Sequence, residues 1–263
     1  MVLLVSKLAA REQIETFAIC APGTEVGCRR LMYGADYTEQ DIERAEYAKA
    51  ISNGDEILAG LQRATSLVLI SHQEPVEASA LQTLLASSGP DLEKVVLLSK
   101  IGVSKEIRNF WSGPNDLKWS QSEREIRQIC QERKLDLSIV RAGTLKGGGP
   151  GGSGNEFGLS QSYYNTLFDS VEASVTMAHD KYTLGIECFP GDPVELPNFL
   201  TQFSLRSSFE PAIFETNRIV AASAVVASML HDSSVEFTVS SAKGTKAPTI
   251  QDWGTILEYV KIS

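Results

Sequence analysis

The residues best suited to chemistry in this chain sit where apolar runs end. Ser71-His72 follows the run Leu67-Val68-Leu69-Ile70. A histidine at a strand mouth can serve as a general acid, or it can be an ordinary loop residue. Ser99-Lys100 closes the run Val95-Val96-Leu97-Leu98. Lys100 there can take a phosphate or carboxylate, or stand in solvent as a surface lysine. Arg29-Arg30 offers two guanidinium forks whose geometry matches phosphate oxygens, with a solvated basic pair as the plainer reading. Trp111 and Trp119 flank Ser112-Gly113-Pro114, and either stack on a flat ligand or pack a lid. Tyr163-Tyr164 supplies phenols, but no lysine follows four residues later to lower their pKa. The glycine-rich stretch Gly147-Gly148-Gly149-Pro150-Gly151-Gly152-Ser153-Gly154 lacks the Gly-Lys-Ser/Thr ending of a phosphate loop, so it reads as a mobile loop or hinge.

The elements that must hold these groups follow from hydrophobic patterning. The runs at Leu67, Val95 and Leu137 have the length of strands buried on both faces, and helix-like sequence separates them. That pattern predicts a parallel sheet wrapped by helices, with ligands at the carboxyl ends of the strands. Val2, Leu4, Val5 and Leu8 share one face of an opening helix, and Thr16 to Ala21 reads as a strand. Leu31 to Tyr33 reads as a second short strand. Thr38 resembles the start of a helix that ends at Asn53-Gly54, and a further helix runs from Asp55 to Ala64. Val76 to Leu85 and Ser120 to Arg133 are helices, the second with Ile126, Ile129 and Cys130 inward. After the glycines, Tyr163 to His179 reads as helix and Tyr182 to Ile186 as strand. Asn217 to His231 is a buried helix, Val235 to Ser240 a strand, and Pro248 opens a last helix.

The fold class expected is α/β: a doubly wound, Rossmann-like parallel sheet with a small C-terminal lobe. Residues 1–146 form the core, and 147–263 form the lobe that completes the same domain. Among 263 residues, 33 acids oppose 24 bases, a net charge of −9 that repels phosphate backbones and argues against general nucleic-acid binding. Cys20, Cys28, Cys130 and Cys188 form no C-x-x-C pair, and with three histidines no zinc site is expected. They read as free thiols of a soluble protein in a reducing compartment. No apolar run has the length of a membrane span, which leaves peripheral association open.

Several segments resemble the atypical short-chain dehydrogenase/reductase superfamily, in its NmrA-like NAD(P)-binding branch. They are Gly34-Ala35-Asp36, Leu97-Leu98-Ser99-Lys100-Ile101-Gly102, Leu135-Asp136-Leu137-Ser138-Ile139-Val140-Arg141-Ala142-Gly143-Thr144-Leu145, Asn217 to Leu230 with Phe237-Thr238-Val239, and Thr249 to Leu257. The resemblance implies a coenzyme held by Arg29, Arg30, Asp36, Ser71, His72, Ser99 and Gly143. Asp36 would meet the adenine and the arginines a 2′-phosphate, so NADP is favoured over NAD. It also places the family's first strand and glycine turn ahead of Met1. It sets the family's Tyr-x-x-x-Lys positions on Trp119 and Glu123, and the second serine of its Ser-Ser pair on Lys100, leaving Ser99. Trp119 has no acidic hydroxyl, and Glu123 would raise a neighbouring phenol pKa.

Two functions are therefore expected as rivals. One is a catalytically degenerate NAD(P)-fold protein acting as scaffold, assembly factor or subunit of a larger complex, in cytoplasm or plastid stroma, with a protein partner. The other is an NAD(P)H-dependent oxidoreductase acting on a small carbonyl, enone or quinone-like compound.

Overall fold

The structure is a computed structural model that describes residues 1–34, 46–71, 74–103, 114–150, 157–167, 170–192 and 215–262. The opening helix α1 (Val2–Arg11) buries Leu4, Val5 and Leu8 and leads into β1 (Thr16–Ile19). Next comes α2 (Glu25–Tyr33), where a strand is expected at Leu31 to Tyr33. An apolar triplet reads equally as a strand or as the last turn of a helix. Met32 and Tyr33 are the buried side of that turn, and Gly34, at φ +93°, ends it.

The second departure is β2 (Ala48–Ile51), in a stretch whose pattern suggests the tail of a helix. It pairs in parallel with β1, Ala18 opposite Ala50. Asn53 then caps α3 (Gly54–Arg63), its side chain accepting from the Asp55 amide at 3.0 Å.

The central βα units follow in the expected order: β3 (Ser66–Ile70), α4 (Ala78–Ser87), β4 (Lys94–Lys100), α5 (Pro114–Arg133), which opens ahead of the expected Ser120, and β5 (Asp136–Ala142). Both β6 (Thr144–Lys146) and its parallel partner β8 (Glu215–Asn217) lie outside the expected elements. Between them a 3-10 helix (Gln161–Thr166) precedes α6 (Ser170–Tyr182) and β7 (Gly185–Pro190). Asn217 caps α7 (Arg218–Leu230), and β9 (Glu236–Ala242) and α8 (Ile250–Ile262) finish the fold.

The main sheet runs β3-β4-β5-β9-β7. Its first three pairings are parallel, and β7 joins β9 antiparallel. Residues after Lys146 thus supply β9 and β7 to the central sheet. Side chains alternate across it, as the two-residue strand period requires. Val95 and Leu97 pack with Leu81 and Leu85 of α4 and Ile126 and Ile129 of α5. Val96 and Leu98 pack with Leu4, Val5 and Leu8 of α1 and Val220 and Val225 of α7. Helices cover both faces, and the architecture is a Rossmann-like α/β fold. Among the described residues, β1 and β2 form a separate pair, with no ladder to β3.

Candidate functional site

The carboxyl ends of β3, β4 and β5 bring Ser71, Ser99, Lys100 and Gly143 to one rim. Register aligns Ile70 with Leu98 and Ser99 with Arg141, so Ser71 stands level with Ser99. The Ser71 hydroxyl donates to the Glu74 carbonyl. Lys100 is exposed and Ser99 is buried. The Gly143 amide donates to Thr216 Oγ1 at 3.0 Å, and that hydroxyl donates to the Val239 carbonyl at 3.0 Å. Arg29 and Arg30 project from α2 into solvent. Asp36, His72 and Trp111 lie outside the described residues.

Behind the rim lies a buried cluster of charge. Trp119 and Glu123 are one turn apart on α5 and both buried, which places them on one inward face. Glu123 meets the two β-strand residues that share a register position. Its Oε1 accepts from the Ser99 hydroxyl at 2.5 Å and from Arg141 Nε at 3.0 Å, and its Oε2 accepts from Arg141 Nη2 at 2.6 Å. The same Nη2 reaches Glu236 Oε1 on β9 at 2.8 Å, and Asp192 Oδ2 stands 3.8 Å from Nε. Arg127 on α5 closes the far side, 2.9 Å from Glu236 Oε2. Arg141 is 0% exposed, and its Nη1 alone among buried described side-chain atoms lacks a partner.

The electrostatics follow from this packing. Burial works to discharge Arg141, but its hydrogen bonds and the charges of Glu123 and Glu236 outweigh it and raise its pKa. Burial pushes the Glu236 carboxyl upward, but Arg141 above all, with Arg127, brings it below the ordinary range. A bidentate guanidinium–carboxylate pair of this kind ties β4, β5, α5 and β9 together. It leaves the Glu123 carboxylate and the Ser99 hydroxyl engaged with protein groups. The resemblance singled out Ser99 and Glu123, and the structure brings them together. It did not single out Arg141 or Glu236. The signal for Arg141 was its charge inside the buried run Ile139-Val140-Arg141-Ala142, since a buried guanidinium requires partners.

A second polar centre holds the start of the glycine-rich stretch, which the sequence suggests is mobile. Fully buried Asp180 on α6 accepts from the Gly148 amide at 2.6 Å, the Gly149 amide at 2.9 Å and the Tyr164 hydroxyl at 2.8 Å. Burial raises its pKa against these bonds. Gly147 has φ +68°, and a Cβ there would stand 2.3 Å from Asp180 Oδ1. Backbone clasped this way is fixed from 147 to 149; residues 151–156 lie outside the described residues.

The four cysteines are unbridged, and burial pushes the Cys130 thiol up to about 11 and the Cys188 thiol to about 12. Such thiols are poor nucleophiles and metal ligands. Among the described residues no helix is long and apolar enough to cross a membrane.

No family model and no curated protein matches the sequence. Solved structures do resemble the fold. Gre2 from Candida albicans in complex with NADPH shares 10% identity at a TM-score of 0.54, over 92% of this chain and 75% of that one. Yeast methylglyoxal/isovaleraldehyde reductase Gre2 complexed with NADPH shares 7% identity at 0.51, over 89% and 72%. At such identities the likeness is one of fold, and the chain is similar in architecture to NAD(P)-binding Rossmann-like oxidoreductases.

Proposed function

We propose that this chain is a catalytically degenerate relative of the NmrA-like branch of short-chain dehydrogenases/reductases, serving as a scaffold or subunit in a protein assembly. One observation carries the reading. Where a Tyr/Lys pair would pass a proton, α5 presents Trp119 and a Glu123 carboxylate already bound to Ser99 and Arg141. Neither side chain supplies a hydroxyl proton toward a ligand, and the cluster is closed by Glu236 and Asp192. Residual coenzyme binding would use exposed Arg29 and Arg30 on the 2′-phosphate, with NADP preferred for that reason. Four unbridged thiols suit a reducing compartment, whether cytoplasm or plastid stroma.

The rival reading, a reductase of small carbonyl or quinone-like compounds, is favoured by the shared architecture with two NADPH-bound structures. Titration with NADPH under thermal-shift and tryptophan-fluorescence detection, followed by NADPH consumption with aldehydes, enones and quinones, separates the two. The scaffold reading expects no consumption above the protein-free rate. Consumption that disappears in Ser99→Ala would establish the reductase instead.

A further inference from the structure

Two of the four cysteines meet at a turn. Cys20 directly follows β1, and Cys28 is the fourth residue of α2. The turn between them doubles the chain back. Thr24 donates to the Ala21 carbonyl twice, from its amide at 3.1 Å and from its hydroxyl at 2.6 Å. Gly23 takes φ +80° there, a conformation glycine adopts without strain. The Cys28 amide then donates to the Thr24 carbonyl at 2.9 Å and opens the helix. The Thr24 hydroxyl becomes a shared partner. The Cys28 thiol donates to Thr24 Oγ1 at 3.9 Å, and the Cys20 thiol hydrogen-bonds both the Thr24 and the Cys28 side chains. Three side chains converge, and two of them carry sulfur. Both thiols are partly exposed, beside Ala21, Pro22, Gly23 and Thr24, which are open to solvent. Cys130 and Cys188 lack such a neighbour: burial with Arg127 nearby acts on the first thiol, and burial alone on the second.

We propose that Cys20 and Cys28 form a redox modification site, closing reversibly to an intrachain disulfide by exchange with a small-molecule disulfide of the glutathione type. One thiol gives its proton to water and attacks a sulfur of oxidised glutathione. A glutathione thiolate leaves and takes up a proton. The second thiol loses its proton in the same way, attacks the cysteine sulfur of the mixed disulfide and releases the second glutathione. Two S–H groups of the protein become one S–S bond. The protein loses two electrons, and oxidised glutathione gains them as two thiols. The packing permits this closure. The Ile51 carbonyl accepts from the Cys20 thiol at 3.4 Å but also from the Cys20 amide at 2.9 Å, so it keeps a donor once the thiol is consumed. The Thr24 hydroxyl keeps its bond to Ala21. The sulfurs must close from contact to about 2.05 Å, a movement asked of two partly exposed side chains rather than of a packed core. Cys28 precedes Arg29 and Arg30, so the bond pins the base of the helix that carries them. The inference stands apart from the scaffold reading, which concerns the charge cluster behind β4 and β5.

The test incubates the full chain, without air, in glutathione buffers of graded oxidised-to-reduced ratio. Acid quench, alkylation of the remaining thiols, intact mass and peptide mapping follow. The expected product is a monomer two hydrogens lighter, with Cys20 linked to Cys28 and both lost to alkylation. Cys130 and Cys188 stay available to the alkylating reagent once the chain is unfolded, and dithiothreitol restores all four thiols. Cys20→Ser and Cys28→Ser each stop at the mixed disulfide and retain one glutathione, because a serine cannot displace it, and the circular dichroism of each matches the wild type. Wild-type chain that keeps glutathione on either cysteine without forming the link overturns the proposal. So does a link to Cys130 or Cys188, or a disulfide between two chains. Thiols that remain reduced in oxidised glutathione alone overturn it as well. None of these readouts involves NADPH, so failure here leaves the reading of the charge cluster standing, and the reverse holds.

Discussion

The Arg141 cluster and an apolar slot of about 500 Å³, lined by Thr16, Phe17 and Ile19 of β1 and by Ser66 to Val68 and Ile70 of β3, occupy the same three-layer sandwich and are opposites in filling. At the carboxyl end of β5, the buried side chains of Glu123, Arg141 and Asp192 meet half-buried Glu236 and Arg127, and the five nearly satisfy each other. Beside β3, fifteen apolar side chains line the slot, with Ser6, Glu15, Thr16, Arg63, Thr65 and Ser66 among them. Buried charge is tolerated only where partners are complete, because an isolated ion in the interior carries a penalty of several kcal/mol. Apolar side chains carry no such demand and forfeit only the contacts they could make, whereas the backbone groups along the unladdered edges of β1 and β3 still require partners. The contrast separates a region that is finished among the described residues from one that is left unfinished among them.

The largest expected effect comes from breaking the finished region. Arg141→Met leaves Glu123 and Asp192 without their cation and Glu236 with Arg127 alone. That change should cost about 3–5 kcal/mol in urea unfolding. Adding Glu123→Leu should return part of the loss, since the pair together leaves fewer stranded charges. A cost of Arg141→Met under about 1 kcal/mol would mean that the cluster does not hold the strands. Next in size is Asp180→Ala. It strands the Gly148 and Gly149 amides and the Tyr164 hydroxyl in a buried site, at about 2–4 kcal/mol. Limited proteolysis should then cut near Gly147, where the wild-type chain is clasped.

The two carboxylates also separate by pH. Glu236 titrates below its ordinary value in the fold, so its contribution is present above the unfolded value near 4.5 and lost as pH falls through the lower folded value. Asp180 is raised above 3.8, so the fold loses stability as pH rises from 3.8 through that raised value. Chemical denaturation at a series of pH values should therefore show a shallower acid loss for Glu236→Gln than for the wild type. Asp180→Asn should change the slope in the other sense, removing a loss that accompanies rising pH.

The parts of this molecule that could be read from sequence are those where one local signal dominates. Continuous apolar runs at Leu67, Val95 and Leu137 mark strands covered on both faces, and the asparagines at 53 and 217 sit at helix starts. Ala48-Lys49-Ala50-Ile51 escaped because it is short and carries a lysine. Its strand character comes from pairing with β1, and Lys49 is turned outward to Glu15. At the site, Ser99 and Glu123 were legible through a resemblance, yet their meaning depends on Arg141 and Glu236. Those arrive 18 and 113 residues after Glu123, brought in by strand register alone. Asp180 falls one residue beyond the expected helix Tyr163 to His179, and nothing local points to the glycines it holds.

The smallest effect sharpens the comparison most. Ile139 lies at the centre of the sheet, wholly buried, whereas Ile70 faces the slot and is only partly covered. Ile139→Ala should cost about 2–5 kcal/mol, because it opens a cavity where the surroundings are already packed. Ile70→Ala removes the same atoms from a wall that already borders empty space, so it should cost only about 1 kcal/mol. Equal costs for the two substitutions in the free chain would mean that the slot is closed in solution, and the distinction between a finished and an unfinished region would fail.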